Sequence, residues 1–202
     1  MSTLAVDAIQ NAAGTAAASI DSNGKVAFAT ATSGNLYQGT AVDLTGLAIK
    51  TWTGIPSWAK RIVIPVQGMN TPSGSNNIGY STTLRVGAGG STQSTGYVAT
   101  SSYQRSSDGA QGASYDTTGF WTYYWANTND RYGFYELLHL GGNGWVCSGN
   151  FASSESSGIV IQTQGYVGLT GSGVLDTVSV GTYNGTSTYT ASNNYVNIMY
   201  QG

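Results

Sequence analysis

The sequence predicts an all-β protein, an antiparallel β-sandwich of jelly-roll or Greek-key type preceded by an extended N-terminal arm, and three observations carry that expectation. Only 8% of the 202 residues are charged, far below what solvated helix faces use. The 29 glycines and the runs of Ser, Thr and Asn are turn formers, whereas the 14 tyrosines, with Trp, Val and Ile, favour a pleated, half-buried surface. From residue 50 onward, short apolar or aromatic runs recur with Gly, Asn and Ser clusters in every gap.

Residues 1–45 read as an arm for docking or assembly, and residues 46–202 as the sandwich, a knob. No aromatic precedes Phe28; Ala, Ser, Thr, Gly, Asn and Asp dominate. Leu4, Val6 and Ile9 are the arm's docking candidates. Asp21-Ser-Asn-Gly24 is a tight-turn signal before Val26 and Phe28, which suits one hairpin; a helix over residues 4–18 is the weaker reading, because Gly14 and the threonines oppose it. An arm with so little apolar surface orders by docking on a partner or by pairing with sister chains.

Strands are expected at 61–66, 82–86, 96–102, 120–125, 132–140, 145–151, 158–167, 174–181 and 195–200. The strongest hairpin joins 132–140 to 145–151 through Gly141-Gly-Asn-Gly144, where positive φ costs little. Segments 70–77 and 106–114, rich in Gly, Ser and Asn, are expected to be surface loops.

The chemical inventory is thin. Nine acidic and seven basic side chains are scattered singly, so no basic stripe offers itself to nucleic acid. No stretch approaches the roughly 18 apolar residues of a membrane span, and no basic-then-apolar leader marks the chain for secretion. Cys147, the single cysteine, reads as a small buried hydrophobe. His139 has no second histidine or cysteine nearby with which to share a metal, and is rejected as a general base. Glu136 with Glu155, or Asp108 with Asp116, are the carboxylate pairs a polysaccharide hydrolase would need, but loop capping for the aspartates and solvated positions for the glutamates are the better readings. Asn127, Asn129 and Asp130 lack the glycine and terminal glutamate of a calcium loop. Gly87-Ala-Gly-Gly90 lacks the Lys-Ser/Thr of a phosphate loop and reads as a turn, and Asn184-Gly-Thr186 matches the glycosylation triplet without a leader to support it. No catalytic residue, cofactor or metal site is expected.

One aromatic run does call for a role. In the segment from Phe120 to Trp125, strand alternation places Phe120 and Tyr124 on one face and Trp121, Tyr123 and Trp125 on the other. A sandwich strand needs one apolar face, so Trp121, Tyr123 and Trp125 are the expected subunit interface or glycan contact, with subunit burial favoured.

The stretch Trp52-Thr-Gly-Ile-Pro-Ser-Trp-Ala-Lys-Arg-Ile62 resembles the opening motif of a β-rich domain of tail-fibre and other virion proteins of tailed bacteriophages. Val174-Leu-Asp-Thr-Val178 with Asn184-Gly-Thr186, and the closing Val196-Asn-Ile-Met-Tyr200, are similar to the same family, which often has Arg where this chain has Thr177 and an acidic residue after the last Tyr. Thr3-Leu-Ala-Val-Asp-Ala-Ile-Gln-Asn11 and Ser19-Ile-Asp-Ser-Asn-Gly24 resemble leaders of structural proteins from phages of cyanobacteria and marine bacteria. Physically, Trp52 and Trp58 are expected core anchors, Gly54 and Pro56 turn formers, Ile62 and Ile64 the start of a buried strand, and Lys60 and Arg61 its solvent side. The resemblance implies a non-enzymatic virion surface protein, made in the host cytoplasm and homotrimeric. A capsid-decorating (cement) protein docked on the major capsid protein is preferred. A short tail fibre on a tail or baseplate protein, touching host surface glycan, is the alternative, since a 45-residue arm reaches at most about 150 Å.

Overall fold

The computed structural model describes residues 36–70, 81–123, 130–154, 158–171, 173–189 and 193–202, together with three short strands nearer the N-terminus. In chain order the strands are β1 (Ala8–Gln10), β2 (Ala16–Ile20), β3 (Val26–Phe28), β4 (Leu36–Gln38), β5 (Val42–Asp43), β6 (Ile49–Thr53), β7 (Arg61–Gln67), β8 (Thr82–Ala88) and β9 (Ser91–Thr92). They continue as β10 (Tyr97–Arg105), β11 (Gln111–Asp116), β12 (Phe120–Trp121), β13 (Arg131–Gly141), β14 (Gly144–Ser153), β15 (Ile159–Gly168), β16 (Thr177–Thr182), β17 (Tyr195–Val196) and β18 (Met199–Gln201).

The expected all-β sandwich is what the chain forms: two antiparallel sheets packed face to face. The large sheet runs β11-β10-β15-β14-β13-β7-β17-β5, with β18 beside β7 and β4 beside β18; the small sheet runs β12-β8-β16-β6, with β9 on β8. Strand β10 lies beside β15, the far end of the β13–β14–β15 meander, which is a Greek-key order with its long connection ahead of the meander. Alternation sets the core: Ile62 and Ile64 of β7, Tyr135 and Leu137 of β13, and Ile161 of β15 point inward and meet Leu84, Val86, Val178 and Val180 of the small sheet.

Two tyrosines of the large sheet reach through this core to the backbone of β8. The Tyr97 hydroxyl accepts from the Val86 N–H at 2.8 Å and donates to its carbonyl at 3.1 Å; the Tyr135 hydroxyl donates to the Thr82 carbonyl at 3.2 Å. Burial raises both phenols above their ordinary range, so they stay neutral.

All nine expected strands overlap observed ones, and three of them differ in extent. The strand expected at 120–125 ends at Trp121, and the one at 174–181 begins only at Thr177. The strand expected at 195–200 is broken into β17 and β18 opposite Pro65 of β7, a residue with no N–H to offer; there the Asn197 side chain donates to Gly39 O at 3.0 Å and accepts from Ile198 N–H at 2.7 Å. Segment 106–114, expected as a loop, contains the start of β11. Strand β6, within the Trp52 motif, was not among the expected strands.

At the N-terminus β1, β2 and β3 pair as a three-stranded antiparallel sheet rather than a helix; the expected turn at 21–24 lies outside the described residues, between the paired Ile20 and Val26. Ile9 falls in β1, while Leu4 and Val6 lie outside the described residues. Residues 36–45, counted with the arm in the sequence reading, are hydrogen-bonded into the sandwich: β4 and β5 extend the large sheet and Leu44 is fully buried.

The segments behind the phage-protein resemblance meet at one corner. Trp52 pairs with Val178, the Ile55 N–H donates to Asp176 O at 3.0 Å, and the Lys60 N–H donates to Gln201 O at 2.7 Å. Trp52 and Trp58 are half-buried rather than full core anchors; Trp58 lies against Tyr200, ring centres 5.5 Å apart. Gly54 has φ 73° in the turn, and Lys60 and Arg61 face solvent as expected.

Tyr97→Phe is expected to destabilise the fold by about 2 kcal/mol, because it strands the buried Val86 N–H, and Tyr135→Phe by about 1 kcal/mol, because the Thr82 carbonyl keeps the Thr122 N–H. Urea denaturation at constant m-value reads both; no loss in either variant would mean that the phenols do not tie the sheets together.

Candidate functional site

The residues singled out as catalytic candidates are committed elsewhere. The His139 ring lies 3.0 Å from the Gly142 carbonyl through Nε2 and tilts over Trp145 at 4.9 Å. Glu136 pairs with Arg61 at 2.6 Å, and Glu155 lies outside the described residues. Asp108 caps the Ala110 N–H at 2.9 Å, and Asp116 accepts from the Thr118 N–H and from its hydroxyl at 2.7 Å, so both aspartates cap loops. Asp130 accepts from Asn70 Nδ2 at 3.1 Å and Tyr132 OH at 3.0 Å, whereas Asn127 and Asn129 lie outside the described residues. The Asn184 Oδ1 accepts the Thr186 and Ser187 N–H groups, which makes that triplet a turn. Cys147 is buried, and burial pushes its thiol well up. Among the described residues no cluster of three or more metal-ligating side chains forms.

Gly87-Ala-Gly-Gly90 is a turn between β8 and β9 with φ 70° at Gly89 and 80° at Gly90. Its two N–H groups donate to the Asp176 carboxylate at 2.9 and 3.2 Å, so an internal carboxylate fills the anion-sized nest. The Thr177 hydroxyl at 2.6 Å, followed by these two N–H groups, holds the Asp176 carboxyl below the usual carboxylate range against the cost of burial.

The aromatic run departs from its expected use. Strand β12 sits at the end of the small sheet, and both its side chains are covered: Phe120 packs edge-on against Tyr97, and Trp121, 2% exposed, lies between Tyr123 and Tyr183. The Trp121 carbonyl accepts the Thr163 hydroxyl at 2.7 Å, and the Tyr123 N–H donates to Ser101 Oγ at 2.8 Å, tying this corner to the large sheet. Trp121 is therefore not an open surface residue of this chain; Tyr123 is half-buried, and Trp125 lies outside the described residues. Alternation misplaces Trp121 because the strand stops after two residues and Tyr183 packs against the indole.

The open surface lies on the outer face of the large sheet. Register places Leu138, Val146, Tyr166 and Val98 in one cross-strand row, Glu136, Ser148, Gln164, Thr100 and Tyr115 in the next, then Phe134, Asn150, Gln162, Ser102 and Ala113, then Tyr132, Ala152, Val160, Gln104 and Gln111. Eight large apolar or aromatic side chains stand exposed here, from Phe134 to Leu140 at 62%. Among the described residues the outward positions of β7, β10, β11, β13, β14 and β15 carry two charges, Arg61 and Glu136, which neutralise each other.

This face has two zones. An apolar band follows the row of Leu138, Val146, Tyr166 and Val98 and the outward side of β13. Beside it, across β15, β10 and β11, lies a groove of about 440 Å³ lined by Ser102, Gln104, Gln111, Ala113, Val160 and Gln162 among others, continued by a depression of about 230 Å³ at Thr100 and Gln164. Short side chains make the floor: Ser102 stands opposite Ala113, with longer amides above and below. Composition signals could not have found this site, because its residues are common surface types that only the register assembles.

Compared with protein-family models, curated proteins and solved structures, the chain finds no match.

Asp176→Asn is expected to lower stability at pH 7. Because the folded carboxyl sits below its ordinary value, its contribution is full above about pH 4 and is lost as pH falls further, so the gap from wild type should close there. A gap independent of pH in denaturant titrations would show that the charge is not what the turn uses.

Proposed function

We propose that this chain is a non-enzymatic bacteriophage virion surface protein, a homotrimeric capsid-decorating (cement) protein anchored by its N-terminal segment to the major capsid protein. The observation that carries the reading is the charge-poor outer face of the large sheet, where among the described residues the Arg61–Glu136 pair stands beside an exposed apolar band that a solitary sandwich would cover with charge. Six strands about 4.8 Å apart, over seven residues rising about 3.3 Å each, cover roughly 650 Å². That is the whole outer face, groove included; a contact on the apolar band uses part of it, less than the roughly 800 Å² each partner gives to a standard interface. A contiguous exposed apolar patch marks a contact surface. In a three-fold ring each subunit offers two different surfaces, of which this band is one.

The virion reading is supported by the resemblance of the 52–62, 174–178 with 184–186, and 196–200 segments to phage virion proteins, and the preference for the capsid by a sequence in which an arm leads almost directly into a single knob. The subunit contact moves from Trp121, already covered, to Leu138, Leu140, Val98 and Tyr166.

Light scattering should give the mass of three chains for the wild type and of one chain for the double variant Leu138→Lys, Val98→Lys. Both substitutions are at exposed positions, so an unfolded variant is not expected; a monomeric wild type would sink the trimer. Quantitative mass spectrometry of purified virions should find hundreds of copies; a few tens or fewer would place the chain on the tail instead. Removing residues 1–30 should abolish virion incorporation while leaving the sandwich folded, and undiminished incorporation would refute the anchor.

A further inference from the structure

The groove beside the apolar band has a chemistry of its own. Four glutamine side chains, Gln104, Gln111, Gln162 and Gln164, point outward from β10, β11 and β15 in adjoining rows, and among the described residues none has a hydrogen-bond partner. Ser102 and Thr100 add hydroxyls between them. Each amide offers two donors and an acceptor, and each hydroxyl both roles, a set that matches neighbouring hydroxyl groups of a ligand. Tyr115, 59% exposed and cross-strand from Thr100, stands at the groove's edge with a ring face open for the C–H side of a pyranose ring.

Charge narrows the ligand class. Among the described residues no Asp, Glu, His, Lys or Arg lines the groove or its continuation, so none of them would compensate the desolvation of a carboxylate, sulfate or phosphate. At about 440 Å³ the groove falls within the range of small-ligand sites. A peptide would be expected to use the free edge of β11 and its backbone groups, whereas these side chains lie on the sheet face.

We propose that the groove over Ser102, Gln104, Gln111, Ala113, Gln162 and Gln164 binds a neutral oligosaccharide, its ring hydroxyls held by the glutamine amides. This goes beyond the assembly reading and holds wherever the chain sits, because the groove lies off the apolar band.

The test is an array of neutral hexose and N-acetylhexosamine oligosaccharides alongside sialylated, sulfated and uronic-acid ones, probed with the full chain and three variants. Wild type should be retained on neutral glycans alone. Gln162→Ala and Ser102→Trp, both at outward positions, should weaken retention at least about tenfold with unchanged thermal unfolding, whereas Leu138→Lys should leave it intact. Side-chain amide signals of Gln104 and Gln162 should shift in nuclear magnetic resonance spectra when the best-retained neutral oligosaccharide is added. A blank array, a preference for anionic glycans, or unchanged retention by both groove variants would each overturn the proposal. Loss of retention in Leu138→Lys together with loss of the trimer would overturn it too, assigning the binding to an assembly surface instead.

Discussion

The Tyr97 and Tyr135 hydroxyls on the backbone of β8 fix how the two sheets face each other. Hydrophobic burial alone favours contact between sheets without selecting one register of their faces. A phenol that ends on a particular stretch of buried backbone does select one, because sliding by a residue leaves the hydroxyl, and for Tyr97 the Val86 N–H as well, unpaired in a medium where an unmet polar group costs about 1–3 kcal/mol. Tyr97 closes the N–H of Val86 and shares its carbonyl with the Gln93 N–H, and Tyr135 shares the Thr82 carbonyl with the Thr122 N–H a short way along the same strand. Strand β8 is thereby located from both halves of the large sheet, β10 and β13, and carries β16, β9 and β12 with it.

Once the inner face is pinned, the outer face is fixed as well, since strand alternation leaves no independent choice. Every inward residue of β13 and β15 implies an outward neighbour, and these are Leu138, Phe134, Tyr166, Val160 and the glutamines. A chain with 8% charged residues cannot cover such a sheet with Lys and Glu. The charge-poor face is therefore a property of composition and topology together, and the division into an apolar band and an amide groove follows from which rows the register brings side by side.

The parts of this arrangement legible in the sequence were those governed by local chemistry. The β13–β14 hairpin declared itself through Gly141 and Gly142, which adopt φ 105° and 55° as a tight reversal requires. The core of β7 showed in the spacing of Ile62 and Ile64. Strand β11 was hidden because its outward residues Gln111 and Ala113 and its inward Gly112 and Ser114 carry no apolar alternation; what makes it a strand is the ladder offered by β10. Trp121 misled for the converse reason. Its pattern was aromatic enough to suggest an open face, but Tyr183, 62 positions later, closes over it, and no local signal announces a contact at that range.

The same distinction separates the motif from the function. Trp52, Ile55, Asp176, Val178, Lys60 and Tyr200 converge on one corner and are spent on pairing, turn capping and packing. They explain why such segments belong together in a chain of this architecture, since each closes the backbone of another. None of them lies on the outer face of β10, β11, β13 or β15. A fold can be held by one set of residues and present its contacts through another. In this sandwich the first set sits where the sheets join, and the second occupies the outward positions of strands whose inward positions make the core, so contact chemistry can vary there without disturbing what holds the sheets together.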